Sequence, residues 1–139
     1  DWIQQSTRLP VLVKGLIHPD DAQRAVDQGV DGIIVSNHGG RQVDGVLPSL
    51  MALKNISTVV KGRTKILLDG GIRRGTDVIK ALCLGADAVL LGRSYIWGLA
   101  AEGQKGIESI LDILNNEIEI AMTQLGIEDI RNCNCSFIA

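Results

Sequence analysis

The chain carries one pattern twice, as Gln28-Gly29-Val30-Asp31-Gly32-Ile33-Ile34-Val35 and as Leu84-Gly85-Ala86-Asp87-Ala88-Val89-Leu90-Leu91, about 55 residues apart. In each copy a glycine ends a helical stretch, as helix-capping glycines do, and a Gly-x-Asp turn leads into an apolar run. Residues 11–15 and 66–70 form a second pair at a similar offset, which is the size of two βα units. The repetition predicts a parallel α/β architecture, either a barrel or a doubly wound sheet.

Four apolar runs predict the strands of this sheet, at residues 11–14, 32–36, 65–69 and 88–91. Each run is nearly continuous in Val, Ile and Leu, as is typical of parallel strands buried on both faces. Helices are predicted between them at residues 19–28, 50–60 and 77–84, with Thr76 as the N-cap of the third. A short helical stretch at 94–100 and a long amphipathic helix ending near Leu125 complete the pattern.

Composition excludes several classes of protein. The 139 residues are 45% hydrophobic and 22% charged, which is typical of a globular protein and not of a disordered one. No apolar run approaches the roughly 18 residues that a membrane span needs, so no membrane partner is expected. A formal net charge of -2 and 3% aromatic residues argue against nucleic acid as a partner. We expect one domain over residues 1–139.

The three cysteines indicate a reducing compartment. Their odd number and unpaired spacing do not resemble a secreted disulfide scaffold, and the sequence shows no secretory leader, so we expect an intracellular protein. Cys83 is predicted to be a small buried apolar residue. Cys133 and Cys135 have no histidine nearby, so they are a weak pair of metal ligands, and no metal site is predicted.

The candidate functional residues follow the four strands. Ligands of parallel α/β folds bind at the carboxyl ends of the strands, so polar residues at those positions are expected to meet. Cations predominate among them although the chain is acidic overall, and this predicts an anionic ligand. The predicted ring consists of Lys14, His38, Arg41, Asp69, Arg73 and Arg93.

The last two strand ends predict a phosphate site. Gly70-Gly71-x-Arg73 and Gly92-Arg93 each combine glycine, which lets an anion approach the backbone N–H groups, with a guanidinium. A helix that begins at Ser94 would direct its positive end to the same place. The alternative is that the glycines only shape turns and the arginines are solvated.

His38 and Arg41 suggest acid–base chemistry on a carboxylate. His38 lies in a loop beside Gly39 and Gly40, where no core role is expected, so it could accept a proton while Arg41 holds an anion. Asp69, at the next strand end, could orient the imidazole, as in other His–Asp pairs. The alternative is a polar loop of unrelated residues. His18, beside Pro19, is predicted to help begin a helix.

Lys14 is a further cation that needs an explanation. Burying a lysine at the end of a strand costs free energy unless the lysine is paired or functional. It could neutralise negative charge on a cofactor, or it could pair with a carboxylate.

These motifs together resemble the FMN-dependent 2-hydroxy acid oxidase/dehydrogenase family, and its glycolate oxidase-like branch in particular. The resemblance is carried by Val13-Lys14-Gly15, by Ser36-Asn37-His38-Gly39-Gly40-Arg41-Gln42, by Asp69-Gly70-Gly71-Ile72-Arg73-Arg74-Gly75 and by Gly92-Arg93. It implies a (βα)8 TIM barrel, of which this chain resembles the last four βα units plus a C-terminal helix.

The resemblance also implies a role for each residue. His38 would take the proton of the substrate hydroxyl with Asp69 in support, Arg41 would hold the carboxylate, and the α-hydrogen would pass to flavin N5 as a hydride. A small 2-hydroxy acid would become a 2-oxo acid, and oxygen would reoxidise the flavin to give hydrogen peroxide. The residues implied to bind FMN are Lys14, Ser36, Asp69, Gly71, Arg73, Gly92 and Arg93.

The chain is too short for a complete barrel, because a full barrel takes about 250 residues and this sequence has 139. We therefore expect a homo-oligomer or a chain that lacks the N-terminal half of its barrel. One alternative is a non-catalytic half-barrel that binds FMN weakly, and another is a different phosphate-binding flavin barrel enzyme. The resembled branch implies a peroxisomal or cytoplasmic location, although no peroxisomal tripeptide ends the sequence.

Overall fold

The computed structural model describes residues 2–60 and 62–138, and it contains one parallel sheet of four strands in chain order. Each strand is hydrogen-bonded to the next one along the chain. Doubly wound sheets reverse their strand order at a switch point, whereas barrels keep it, so the order favours a barrel segment. The strands are β1 (Leu12–Leu16), β2 (Gly32–Val35), β3 (Lys65–Asp69) and β4 (Ala88–Leu90).

Helices follow every strand, as the periodicity predicts. α1 (Trp2–Ser6) precedes β1 and was not predicted; its Gln4 side chain donates hydrogen bonds to the backbone oxygens of Gln28 and Gly29, at 3.2 and 3.0 Å. Short 3-10 turns lie at His38–Gly40, Ile130–Asn132 and Cys135–Phe137. The helices are α1 (Trp2–Ser6), α2 (Pro19–Asp27), α3 (Ser49–Val60), α4 (Gly75–Cys83), α5 (Arg93–Glu102) and α6 (Gln104–Leu125).

The main core lies between the sheet and the helices that cover one of its faces. β2 and β3 are central, and their Ile33, Val35 and Leu68 have no exposed surface, like Leu53 and Ile56 of α3. β1 and β4 each pair on one side only within the described sheet. Unpaired strand edges are open to further pairing, which agrees with a sheet that is part of a larger barrel.

Local polar contacts determine the residue at which α2 and α4 each begin. His18 is the N-cap of α2, as predicted, and its Nδ1 accepts a hydrogen bond from the Asp20 N–H at 3.2 Å. Thr76 was predicted to cap α4, and this prediction is wrong, because the N-cap is Arg74. The Asp77 carboxylate reaches back and accepts the N–H groups of Arg73 and Arg74, each at 3.0 Å.

A second apolar cluster consists of Ile79, Cys83 and Ala121, and its Cys83 is buried as predicted. Cys133 packs against this cluster, and burial, with a smaller effect of the Cys83 thiol, raises the pKa of Cys133 to about 11. Cys133 is therefore a protonated thiol at neutral pH. Among the described residues, no three His, Cys, Asp or Glu side chains come together as metal ligands. Within residues 2–60 and 62–138, no helix is both long enough and apolar enough to span a membrane.

The start of α4 lies close to the backbone of α6 at Gly75. Its N–H donates to Glu117 Oε2 at 2.7 Å, and a Cβ added here would lie 2.5 Å from the Ile118 nitrogen. Because backbone cannot move aside as a flexible side chain can, we expect Gly75→Ala to lower the free energy of unfolding by about 1–3 kcal/mol. Chemical denaturation measures this loss.

Thr76→Ala is the matched control for that substitution, one residue along and exposed. Since Thr76 is not the N-cap, its loss should cost no more than about 0.5 kcal/mol. A Gly75→Ala protein as stable as the Thr76→Ala protein would contradict the close packing of α4 on α6.

Candidate functional site

A cavity of about 310 Å³ opens at the carboxyl ends of the strands. Eight of the nine predicted site residues line it, and the ninth, Ser36, is buried and hydrogen-bonded to two of them. Four cationic side chains face a single carboxylate among the lining residues, so the cavity suits an anion. The eight predicted residues in its lining are Lys14, His38, Arg41, Asp69, Gly71, Arg73, Gly92 and Arg93.

Lys14, Asp69 and Ser36 form one hydrogen-bonded group. Lys14 Nζ lies 2.5 Å from Asp69 Oδ2 and donates to Ser36 Oγ at 2.9 Å. Lys14 therefore pairs with a carboxylate while it also lines the cavity. The lysine lies inside β1, not at its end as predicted, because the strand continues to Leu16.

His38 adopts an unusual backbone conformation that its neighbours hold in place. Its φ is 55°, in the left-handed region that costs a side-chain-bearing residue energy, and it is the one non-glycine residue with positive φ in the described part. Ser36 Oγ accepts the His38 N–H at 3.0 Å, and Asn37 Oδ1 accepts the Gly39 N–H at 3.0 Å. Asn37 is fixed in turn, since its N–H donates to buried Ser49 Oγ at 3.0 Å.

The His38 ring packs against Gly15, a residue to which the sequence analysis assigned no role in the site. Register shifts between β1 and β2 at Lys14/Leu16, and Gly15 has a φ of +101°. A Cβ at Gly15 would lie 2.5 Å from His38 Nε2, so the ring lies against bare backbone. The sequence signal that could have revealed this role was a glycine directly after Lys14, inside β1.

Asp69 does not make the predicted contact with His38. Its Oδ2 is taken by Lys14, and its Oδ1 is buried without a hydrogen-bond partner among the described residues. A buried carboxylate oxygen without a partner is rare, because burial removes its water without replacing it. Asp69 Oδ1 is thus an open acceptor beside the cavity, and its support of His38 stays a prediction.

The phosphate-type end of the cavity combines exposed glycines with guanidinium groups. No atom lies within 4 Å of a Cβ built at Gly71 or Gly92, so an anion could approach their backbone. Arg93 Nη2 reaches the Gly39 carbonyl at 3.5 Å, and Arg73 lies with its guanidinium carbon 5.8 Å from the centre of the Trp97 ring. Sequence reasoning did not identify this contribution of Trp97.

This arrangement fits the phosphate of FMN. The cradle offers two guanidinium groups and exposed backbone on neighbouring loops, and α5 begins at Arg93, so its N-terminal dipole adds to the positive potential. The cavity volume is at the lower end of the range of small-molecule sites.

Comparisons with known proteins agree with this geometry. The chain is 49% identical to an L-lactate oxidase of Nostoc sp. over 99% of its own length and 38% of that protein. It is 55% identical to the peroxisomal (S)-2-hydroxyacid oxidase GLO3 of Arabidopsis thaliana, over 91% of the chain and 35% of that relative. A crystal structure of mandelate oxidase with (S)-4-hydroxymandelic acid superposes with a TM-score of 0.90 at 49% identity, over 93% of this chain and 36% of the other.

The chain thus spans little more than a third of the length of the curated relatives that it matches. Its four-stranded sheet corresponds to the C-terminal half of a TIM barrel, as predicted. The family model described as FMN-dependent dehydrogenase matches residues 1–139. The chain belongs to the FMN-dependent dehydrogenase family, whose members at this level of similarity are oxidoreductases.

Proposed function

We propose that the complete protein oxidises a small 2-hydroxy acid, of the size of glycolate or lactate, to a 2-oxo acid with FMN as the electron acceptor. One observation carries the proposal: an imidazole, a guanidinium and a phosphate-type cradle line one cavity at the strand ends. The relatives named 2-hydroxyacid oxidase and L-lactate oxidase support the same reaction class.

FMN would lie with its phosphate on the loops after β3 and β4. Gly71 and Gly92 would supply backbone N–H groups, while Arg73 and Arg93 would donate charge-assisted hydrogen bonds. Lys14 would place its ammonium beside the flavin ring, held by Asp69 Oδ2 and Ser36 Oγ. FMN, when bound, would supply the electron-pair acceptor for the α-hydrogen of the substrate, which the family resemblance implies leaves as a hydride to flavin N5.

The substrate would be held and deprotonated by the loop after β2. The Arg41 guanidinium would bind the substrate carboxylate through two parallel hydrogen bonds, which fixes the orientation of the acid. His38 would remove the proton of the 2-hydroxyl group as general base. The left-handed backbone of His38 and the glycine at residue 15 place its ring in the cavity, so strain at this residue serves positioning.

Completion of the site and the choice of acceptor belong to the whole protein. β1 and β4 have open edges within the described sheet, which suits pairing with further βα units of the same chain or of a second copy.

For the reoxidation step we propose oxygen, with hydrogen peroxide as product. For the location we propose a peroxisomal or cytoplasmic protein, and the peroxisomal Arabidopsis relative supports the first.

An FMN titration of the complete protein tests the cofactor site. We expect saturable quenching of flavin fluorescence and a dissociation constant about tenfold or more higher in Arg93→Ala, because a charge-assisted contact is lost. Arg24→Ala, an exposed arginine of α2 that does not line the cavity, should bind as the unmodified protein does.

Anaerobic addition of glycolate or lactate then tests the reaction. The flavin absorbance should bleach and then return on admission of air, as hydrogen peroxide forms. A flavin that binds but is not reduced by any small 2-hydroxy acid would overturn the proposed reaction.

A further inference from the structure

One face of α5 contacts the loop between β3 and α4 at two points. Ser94 and Trp97 are three residues apart on this helix, a spacing that places two side chains on the same face. The Ser94 hydroxyl donates to the Ile72 carbonyl at 2.8 Å, and the Trp97 ring lies under the Arg73 guanidinium at 5.8 Å. Consecutive residues of the β3–α4 loop are thus attached to the helix that follows Gly92.

The contact at Ser94 is buried. Ser94 is 5% exposed and Ile72 is also 5% exposed, so water does not replace this hydrogen bond if the hydroxyl is removed. A buried carbonyl that loses its donor pays the cost of its own desolvation. The loop that carries Gly71 and the helix that begins after Gly92 are therefore held at a fixed separation.

The contact at Trp97 is exposed, and it involves a guanidinium that is paired with no carboxylate in the described part of the chain. Arg74, the next residue, pairs with Glu117 at 2.8 Å, whereas Arg73 makes no ion pair within residues 2–60 and 62–138. Trp97 is 53% exposed, so its contact with the Arg73 guanidinium lies at the surface. A guanidinium stacked on a ring loses freedom of movement but keeps its N–H groups for an anion.

We propose that α5 sets the geometry of the phosphate cradle, with Ser94 and Trp97 as positioning residues for the FMN phosphate. The proposal rests on the proposed function, because it concerns the same cofactor site. Ser94 fixes the distance between the two loops, and Trp97 holds the Arg73 guanidinium over the cavity before FMN arrives. Preorganised donors lose less entropy on binding, so both contacts strengthen phosphate recognition by holding the loops that carry the donors.

The test compares FMN with riboflavin, which has the same ring and ribityl chain but no phosphate. In the complete protein we expect Trp97→Ala to weaken FMN binding about two- to fivefold, the loss of one exposed cation–π contact, and to leave riboflavin binding unchanged. Trp97→Phe keeps a ring and should restore most of the preference for FMN. Leu99→Ala, an exposed apolar residue of the same helix, is the matched control and should change neither affinity.

Three further variants separate positioning from general stability. Ser94→Ala should lower the ratio of riboflavin to FMN dissociation constants about three- to tenfold, whereas Ser94→Thr keeps a hydroxyl and should retain the ratio. In an Arg73→Ala background, Trp97→Ala should cause no further loss, because the ring acts only through that guanidinium. Trp97 is exposed, so its variants keep the proposal testable if Ser94→Ala does not fold.

The outcomes distinguish this inference from the proposed function. An unmodified protein that binds FMN no better than riboflavin would overturn the phosphate site and the proposed function with it. A preference for FMN that Arg93→Ala abolishes but Trp97→Ala leaves intact would overturn the role of α5 alone. Equal loss of FMN and riboflavin in Trp97→Ala would also overturn it, since the effect would then be on the fold.

Discussion

Replacing His38 by alanine is expected to lower the turnover of a 2-hydroxy acid by about a hundredfold to ten-thousandfold, the usual contribution of a general base. The cavity lining offers one other group able to accept a proton, Asp69, and its Oδ2 already faces Lys14. FMN should stay bound, because His38 lies in the loop after β2 while the phosphate cradle follows β3 and β4. The loss should therefore fall on the rate of flavin reduction and not on the flavin content.

Anaerobic stopped-flow reduction of the flavin measures this rate directly. His18→Ala is the matched control, since His18 is the other histidine of the chain and serves as the N-cap of α2. That variant should lose some stability and keep its reduction rate. Flavin reduction in His38→Ala within about tenfold of the unmodified rate would show that another group takes the proton.

The sheet could be predicted because its signal is local and strong. Each buried parallel strand needs apolar side chains on both faces, so β2 and β3 are nearly continuous runs of Ile, Leu and Val. The site followed from the sheet, since the carboxyl ends of parallel strands converge at one edge. This is why eight residues spread from Lys14 to Arg93 could be assigned to one cavity without any contact information.

The details that escaped prediction depend on contacts between distant residues. Asp77 sets the start of α4 by reaching back to two N–H groups, so the helix begins before the apparent cap at Thr76. Asp69 was expected to orient His38, but its Oδ2 lies against Lys14 of β1, on the far side of β2 in the sheet. Trp97 was placed in a short helical stretch at residues 94–100 with no role of its own, and only the fold shows that its ring lies under Arg73.

The Gly15→Ala substitution should impair catalysis almost as strongly as removal of the base, although Gly15 carries no chemistry. The added Cβ would lie 2.5 Å from His38 Nε2, closer than any real contact, and a φ of +101° is unfavourable for alanine. The imidazole must therefore move out of its position against β1. Displacement of a reacting group by about 1 Å can cost about a hundredfold in rate, and we expect a loss of this size in flavin reduction.

The Gly45→Ala variant separates this clash from backbone strain. Gly45 also has a positive φ, +78°, but a Cβ there would have no atom within 4 Å. Both alanines should therefore lower stability by a comparable amount, because each forces a left-handed conformation, whereas only Gly15→Ala should slow flavin reduction. FMN affinity should survive in both, since neither glycine belongs to the loops after β3 and β4. If Gly15→Ala reduced its flavin as fast as Gly45→Ala, the working position of the His38 ring would not be the one against Gly15, and the backbone of β1 would have no part in aiming the base.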